Sequence, residues 1–232
     1  MSNSETKEQR REKRILDAAS ELIVRFGYDK TTVREIADAA GVSKGAIYLH
    51  FDSKRALFEG LLLREFRLVS RAWLDSVEAD EEAGSLGSMY RAILAAQHES
   101  ELMMAIYRQD PKVLGSYLHA EDNIFERAYS QSVHVRFVEQ MQAAGVIRQD
   151  IDAQVISHVM DIVDYGFVSI GELKEPEQIP SHEETIELIG QMLDRALTPA
   201  EGVDREKGRA VIRRLIDEYD EILAQLMGQG DE

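Results

Sequence analysis

Residues 32–51, Thr-Val-Arg-Glu-Ile-Ala-Asp-Ala-Ala-Gly-Val-Ser-Lys-Gly-Ala-Ile-Tyr-Leu-His-Phe, hold two short helical periods broken at one glycine. Thr32 and Glu35 have the spacing of a capping box, in which the hydroxyl takes an orphan N–H and the carboxylate reaches back. Ile36, Ala37 and Ala40 give the first helix a small apolar face. Gly41 permits the left-handed backbone that ends this helix and turns the chain. Val42 lies beneath the turn, and Ser43 can cap a second helix whose buried side carries Ile47 and Phe51. Helices this short, with Ala37 allowing close contact and Gly41 four residues on, make a helix-turn-helix. The second helix of such a pair enters the major groove, so the pattern predicts a protein that binds duplex DNA.

A net charge of −16 opposes that expectation until the charge is resolved along the chain. Residues 1–55 carry 11 Lys and Arg against 9 Asp and Glu, whereas residues 56–232 carry 16 against 34. A slightly basic head on a large acidic body fits DNA contact through the head, while the acid also serves solubility. No apolar run reaches the roughly 18–20 residues of a membrane span, and the first residues lack a signal peptide's apolar stretch. The expected location is cytoplasmic, with no membrane partner. The absence of cysteine excludes disulfides and thiolate metal sites. Helical periodicity nearly throughout, with only four prolines, predicts an all-α chain.

Upstream, Ile15, Leu16, Ala19, Leu22, Ile23 and Phe26 recur at helical spacing and stop at Gly27. Ile15 to Leu63 then resembles the DNA-binding domain of TetR/AcrR-family transcriptional regulators. The resemblance rests on Phe26-Gly27-Tyr28, Thr31-Thr32, Ile36-Ala37, Ala40-Gly41-Val42-Ser43-Lys44-Gly45, Ile47-Tyr48, Phe51, Ser53-Lys54 and Leu57-Phe58. It covers about a fifth of the chain. Thr31 and Thr32 stand at a helix N-terminus, where free N–H groups and the dipole can hold a phosphate. The resemblance implies the same backbone-gripping role for Tyr48, His50 and Lys54. Ser43, Lys44, Gly45, Ala46 and Leu49 occupy the groove-facing part of the second helix. Lys44 can donate to guanine or to a phosphate, Ala46 or Leu49 can meet a thymine methyl, and Gly45 allows close approach. Arg34, exposed on the first helix, is a further candidate contact. Lys7–Arg14 is a basic run that could serve as a minor-groove arm or simply as a solvated helix end.

The rest of the chain reads as helices over 53–79, 86–109, 111–119, 121–144, 152–171, 182–197 and 204–227. Helix 152–171 is apolar on almost every face and must be buried on two sides. In the resembled family the two helices before the C-terminus form a four-helix dimer interface, which by order corresponds to 152–171 and 182–197. Gly190 is expected to let helices approach closely in that dimer pair. The family's body holds a small-molecule cavity, which points here to Trp73, His98, Met103, Tyr107, Tyr117, Phe125, His134, Phe137, His158 and Tyr165. Ordinary core packing accounts for any one of these as well. His158 and Asp161 have metal-ligand spacing but no third convergent ligand, so no metal is assigned. No nucleophile–base motif or phosphate loop appears, so no catalysis and no cofactor are expected. Helix 204–227, with Ile212, Leu215, Tyr219, Ile222 and Leu226 in a stripe, is an addition to the family plan that must dock on the body or on the other subunit.

These readings assemble into an all-α chain. A three-helix helix-turn-helix domain spans 1–55. A larger helical effector-binding and dimerisation domain spans 56–232 and includes the additional C-terminal helix. The resemblance implies a ligand-responsive repressor that binds a palindromic operator as a homodimer and is released by a small, mostly apolar effector. The alternative is a DNA-binding interaction protein or activator controlled by a protein partner.

Overall fold

The computed structural model describes residues 6–80, 83–125, 133–173 and 175–228, apart from the side chains at 133, 172, 176, 219, 220 and 222–228. The described residues are all-α. Helix α1 runs Lys7–Phe26, α2 Val33–Ala40, α3 Lys44–Tyr48, α4 Lys54–Ala79, α5 Leu86–His98 and α6 Glu101–Arg108. They are followed by α7 Pro111–Leu114, α8 Val133–Ala143, α9 Ala153–Ser169, α10 His182–Leu197 and α11 Arg205–Gly228. The chain divides into two compact units, one running to Phe66 and including Glu101–Ile124, the other formed by Arg67–Ser100 and Phe125–Gln225. The expected division fell after Arg55; in the structure the first unit also takes in the start of α4 and the α6–α7 segment.

Local chemistry sets the first three helices. The Thr32 hydroxyl accepts from Glu35 N at 3.2 Å, and the Glu35 carboxylate accepts from Thr32 N at 2.8 Å, closing the capping box on α2. Gly41 adopts φ 64° after α2, and Val42 N donates to Ala37 O at 3.0 Å across the turn. Ser43 then caps α3, accepting from Ala46 N at 3.1 Å. Ile15, Ile23, Ile36, Ile47 and Phe58 are buried together with Leu57 and Leu61 of α4. Hence α4 begins inside the head's core rather than after it.

Residues 111–124 complete the first unit. Asp110 caps α7 and Pro111 opens it, but Gly115 at φ 53° ends that helix after one turn, so the expected helix 111–119 finishes as a 3-10 segment over Gly115–His119. This segment is tied to the turn between α1 and α2. Tyr28 N donates to Val113 O at 2.7 Å, and the Asp29 carboxylate accepts from Ser116 N at 2.9 Å and Ser116 Oγ at 2.5 Å. A side chain at Gly27 would collide with the Lys112 carbonyl, which explains the glycine there. Tyr117 sits edge-on to Phe58 with ring centroids 4.8 Å apart, and its hydroxyl donates to Glu59 at 2.9 Å.

In the second unit the helix expected over 86–109 is broken at Glu99–Ser100, where Ser100 N donates to Gln97 O at 3.3 Å. The part before the break belongs to this unit and the part after it to the first. Helix α5 packs against α10, and Gly87 faces Gly190 across the contact. A Cβ on Gly190 would lie 2.6 Å from Arg91 Cγ and 2.9 Å from the Gly87 carbonyl. The Asp194 carboxylate, one turn on, accepts from Gly87 N at 2.8 Å and from Ser85 Oγ at 3.0 Å, capping α5 from outside. Gly190 therefore serves a close approach within one protomer, which corrects its expected place in the dimer pair. Gly190→Leu should overpack this contact and lower protomer stability by about 1–3 kcal/mol or more, read as a fall in the urea midpoint. An unchanged midpoint with loss of dimer would return the glycine to a subunit interface.

Helix α11 docks on its own body. Val211, Ile212 and Ile216 are buried and Leu215 is half-buried against the core formed by Met89, Leu94 and Met141. Arg213 pairs with Glu78 at the end of α4 and with Glu206, while Arg209 donates to the Ala83 carbonyl at 3.0 Å. The side chains of Tyr219, Ile222 and Leu226 lie outside the described residues. Helix α9 leaves Val155, Val159, Ile162 and Tyr165 exposed, and α10 leaves Leu188 and Met192 exposed.

Candidate nucleic-acid interface

Burial of Ile47 and Phe51 turns the opposite side of α3 outward. Ser43, Lys44 and Gly45 are exposed, Ala46 and His50 are half-buried, Tyr48 is 43% exposed and Leu49 is 78% exposed. The Lys44 ammonium lies 5.6 Å from the centre of the Tyr48 ring, one turn along, so the two side chains form a paired cation and hydroxyl on one face. The Ser43 hydroxyl spends its acceptor on the cap and keeps its hydrogen free to donate. Arg34 is exposed on α2. At the first turn of α4 the Lys54 ammonium sits 4.2 Å over the Tyr28 ring and 3.5 Å from the Asp29 carbonyl. Burial lowers its pKa, opposed by the carboxylates of Asp29 and Glu35.

The two threonines separate in role. Thr32 is exposed, capping α2 and donating to Glu35 at 2.7 Å. Thr31 is 2% exposed, and its hydroxyl donates to Gly27 O at 2.9 Å with Leu22 O at 3.2 Å. Its backbone N–H is also taken by Gly27 O. Thr31 therefore anchors the turn and has no group left for a phosphate, a correction to its expected place among the DNA contacts.

Residues 15–61 match the sequence profile described as bacterial regulatory proteins of the tetR family. The chain is 32% identical over 155 residues to the HTH-type transcriptional repressor KstR2 of Rhodococcus jostii, an alignment covering 61% of this chain and 70% of that protein. The chain belongs to the TetR family of transcriptional regulators. Two solved structures show the same fold at low identity. One is NalD, the secondary repressor of the MexAB-OprM multidrug efflux pump in Pseudomonas aeruginosa, with TM-score 0.58, 21% identity and coverage of 85% of this chain and all of that one. The other is FadR of Bacillus subtilis in complex with stearoyl-CoA, with TM-score 0.52, 19% identity and coverage of 78% and 96%. TetR-family members are regulators rather than enzymes.

The ten effector residues expected of this TetR-family chain fall on both units. Met103, Tyr107 and Tyr117 belong to the first unit, where Met103 and Tyr117 are buried core. Trp73, His98, Phe125, His134, Phe137, His158 and Tyr165 belong to the second. There His158 and Tyr165 point outward from α9, which corrects their expected place in an interior pocket. Trp73 and Phe137 are half-buried edge-to-face neighbours, ring centroids 6.2 Å apart, with Trp73 Nε1 donating to Met89 O at 2.9 Å. His98 lies against His182 with centroids 3.9 Å apart and ring planes tilted by 42°, and burial, with the neighbouring imidazole, lowers its pKa. His134 Nδ1 lies 2.5 Å from Asp161, which raises the histidine's pKa. No group of three or more metal-ligating side chains occurs among the described residues.

Sequence reasoning missed the pair Tyr90 and Asp164, which are hydrogen-bonded to each other across 74 positions. Burial pushes the Asp164 carboxyl up to about 6, against the pull of the Tyr90 hydroxyl and His134. Raised in the folded state, this group gives stability that is fully present below its unfolded pKa of about 4 and lost as pH rises through about 6. Asp164→Asn should therefore flatten that part of the stability–pH curve. Urea midpoints from about pH 4.5 to 7 should fall less with rising pH in the variant than in the parent. A constant offset between the two curves would contradict the assignment.

Proposed function

We propose that the chain is a homodimeric repressor that holds a palindromic operator through two copies of α3 and releases it when a small, mostly apolar effector occupies the body. The observation that carries this is the outward face of α3, where Lys44, Tyr48 and the highly exposed Leu49 stand free while Ile47 and Phe51 hold the helix in the core. Ser43, Lys44, Gly45, Ala46 and Leu49 meet base edges, and Tyr48, His50 and Lys54 grip the backbone with Arg34 beside them, joined by Thr32 once its exposed hydroxyl turns from Glu35 to a phosphate. The exposed apolar rows on α9 and α10 are the subunit interface, because a patch of this kind left in water is rare in soluble proteins. Two-fold symmetry then sets two reading helices about one helical turn of DNA apart.

A repressor named as such among the relatives, and a neighbour's complex with an acyl-CoA, support both repression and a largely apolar effector. Trp73 and Phe137 are the residues assigned to it in the body. Helix α4 passes from one unit to the other and is the transmitter in this reading. The effector must bind the released state more tightly than the DNA-bound one, since equal affinity shifts nothing. Footprinting on the DNA flanking the protein's own gene should show one protected stretch with two symmetric halves centred about 10 base pairs apart. Protection of a single unpaired half, or none, would overturn the proposal.

A further inference from the structure

Helix α1 starts well before the core needs it. Its first buried residue is Ile15, so residues 7–14 add about two turns at the amino end. Those turns are ordered from within, because Gln9 N donates to the Thr6 hydroxyl at 3.1 Å and Thr6 N donates to the Gln9 side chain at 2.8 Å. In sequence the run mixes signs, Lys-Glu-Gln-Arg-Arg-Glu-Lys-Arg. Helical geometry sorts them. At about 100° per residue, Lys7, Arg10, Arg11, Lys13 and Arg14 share an arc of about 160°, while Glu8 and Glu12 fall on the side of Ile15, Ala19 and Ile23.

The five cations are also unused. None makes an ion pair, a side-chain hydrogen bond or a ring contact among the described residues. Six arginines elsewhere, Arg55, Arg64, Arg91, Arg136, Arg148 and Arg213, pair with carboxylates, whereas Arg34, Arg71, Arg195 and Arg214 are, among the described residues, single unpaired cations rather than part of a row. In a chain with 43 acidic residues, a stripe of like charges at i, i+3 and i, i+4 weakens its own helix. A polyanion brought from outside relieves that repulsion.

We propose that the first two turns of α1 form a second DNA-contacting surface, with Arg10, Arg11 and Arg14 seated on backbone phosphates that flank the operator. This rests on the operator-binding reading and extends it. The stripe acts as a helix and not as a minor-groove arm, because a helix about 10–12 Å across does not enter a groove about 6 Å wide. Its phosphates are distinct from those near Lys54. Lys54 lies over Tyr28, just past the far end of α1, and a rise of 1.5 Å per residue puts Arg10 roughly 27 Å from there. Phosphate contacts add affinity and salt dependence without reading sequence.

The test compares the full-length parent with R10Q/R11Q/R14Q, glutamine being nearly as good a helix former as arginine. Both are titrated with a duplex that the parent enriches from a random pool, trimmed to the protected site or extended by about ten base pairs on each side. The slope of log affinity against log salt should become shallower by about 0.9 for each phosphate that is no longer neutralised, so by about 2 for one arginine per protomer and about 5 for all three. Only the parent should bind the extended duplex more tightly than the trimmed one. Equal slopes for the two proteins, with the same preference for the longer duplex, would overturn the stripe alone. A parent that enriches no duplex would instead overturn the operator-binding reading on which it rests.

Discussion

Ile162→Lys should turn the protein into a monomer at micromolar concentration and abolish tight operator binding. Ile162 is 57% exposed on α9, in register with Val155 and Val159, and the proposed interface buries it. An uncompensated charge left in such an interface costs about 3–5 kcal/mol. Two-fold symmetry places the substitution on both sides, so the dissociation constant of the dimer should rise on the order of 10⁴-fold or more. The isolated protomer should keep its fold, since the side chain is outside the protomer core. Sedimentation checks the result, and a variant that remains dimeric at wild-type concentrations would move the interface to another face.

Lys44→Ala combined with Tyr48→Ala should weaken binding to the selected duplex by at least about 10³-fold. The change removes a cation and a hydroxyl from each of the two reading helices, and hydrogen bonds to charged groups are worth about 1.5–3 kcal/mol each. Both side chains face outward, so folding stability should stay within about 0.5 kcal/mol of the parent. Retained affinity in a folded double variant would remove α3 from the interface. A large loss of stability would instead show that Lys44 and Tyr48 hold the head together.

The helix-turn-helix was legible in the sequence because its determinants are local. Thr32 and Glu35, Gly41, and Ser43 with Ala46 each act within four residues, and the structure shows each bond that their spacing implies. Helix 182–197 has the bounds its periodicity predicts, and in the structure the Ser181 hydroxyl caps its start by accepting from Glu184 N. Long-range pairs left no such mark. Asp29 meets Ser116 across 87 positions and Tyr90 meets Asp164 across 74, and neither pair has a spacing to read. Gly190 announced a close approach, but only packing could name Gly87 as its partner. The break at Glu99–Ser100 carries no glycine or proline, so helical periodicity ran straight through it. Thr31 shows how small the margin is. Adjacent to Thr32 and of the same type, it turns inward to the carbonyls of Leu22 and Gly27 while its neighbour faces out.

In the proposed complex the outward face of α3 grips duplex DNA through its phosphates as well as its bases. The affinity of the purified protein for its selected duplex, measured between 50 and 200 mM salt, tests this most directly. A dimer making about 6–10 phosphate contacts should weaken by roughly 10³–10⁵ in affinity over that range, with one dimer bound per duplex. Affinity that stays constant across the range would rule out phosphate contacts by α3.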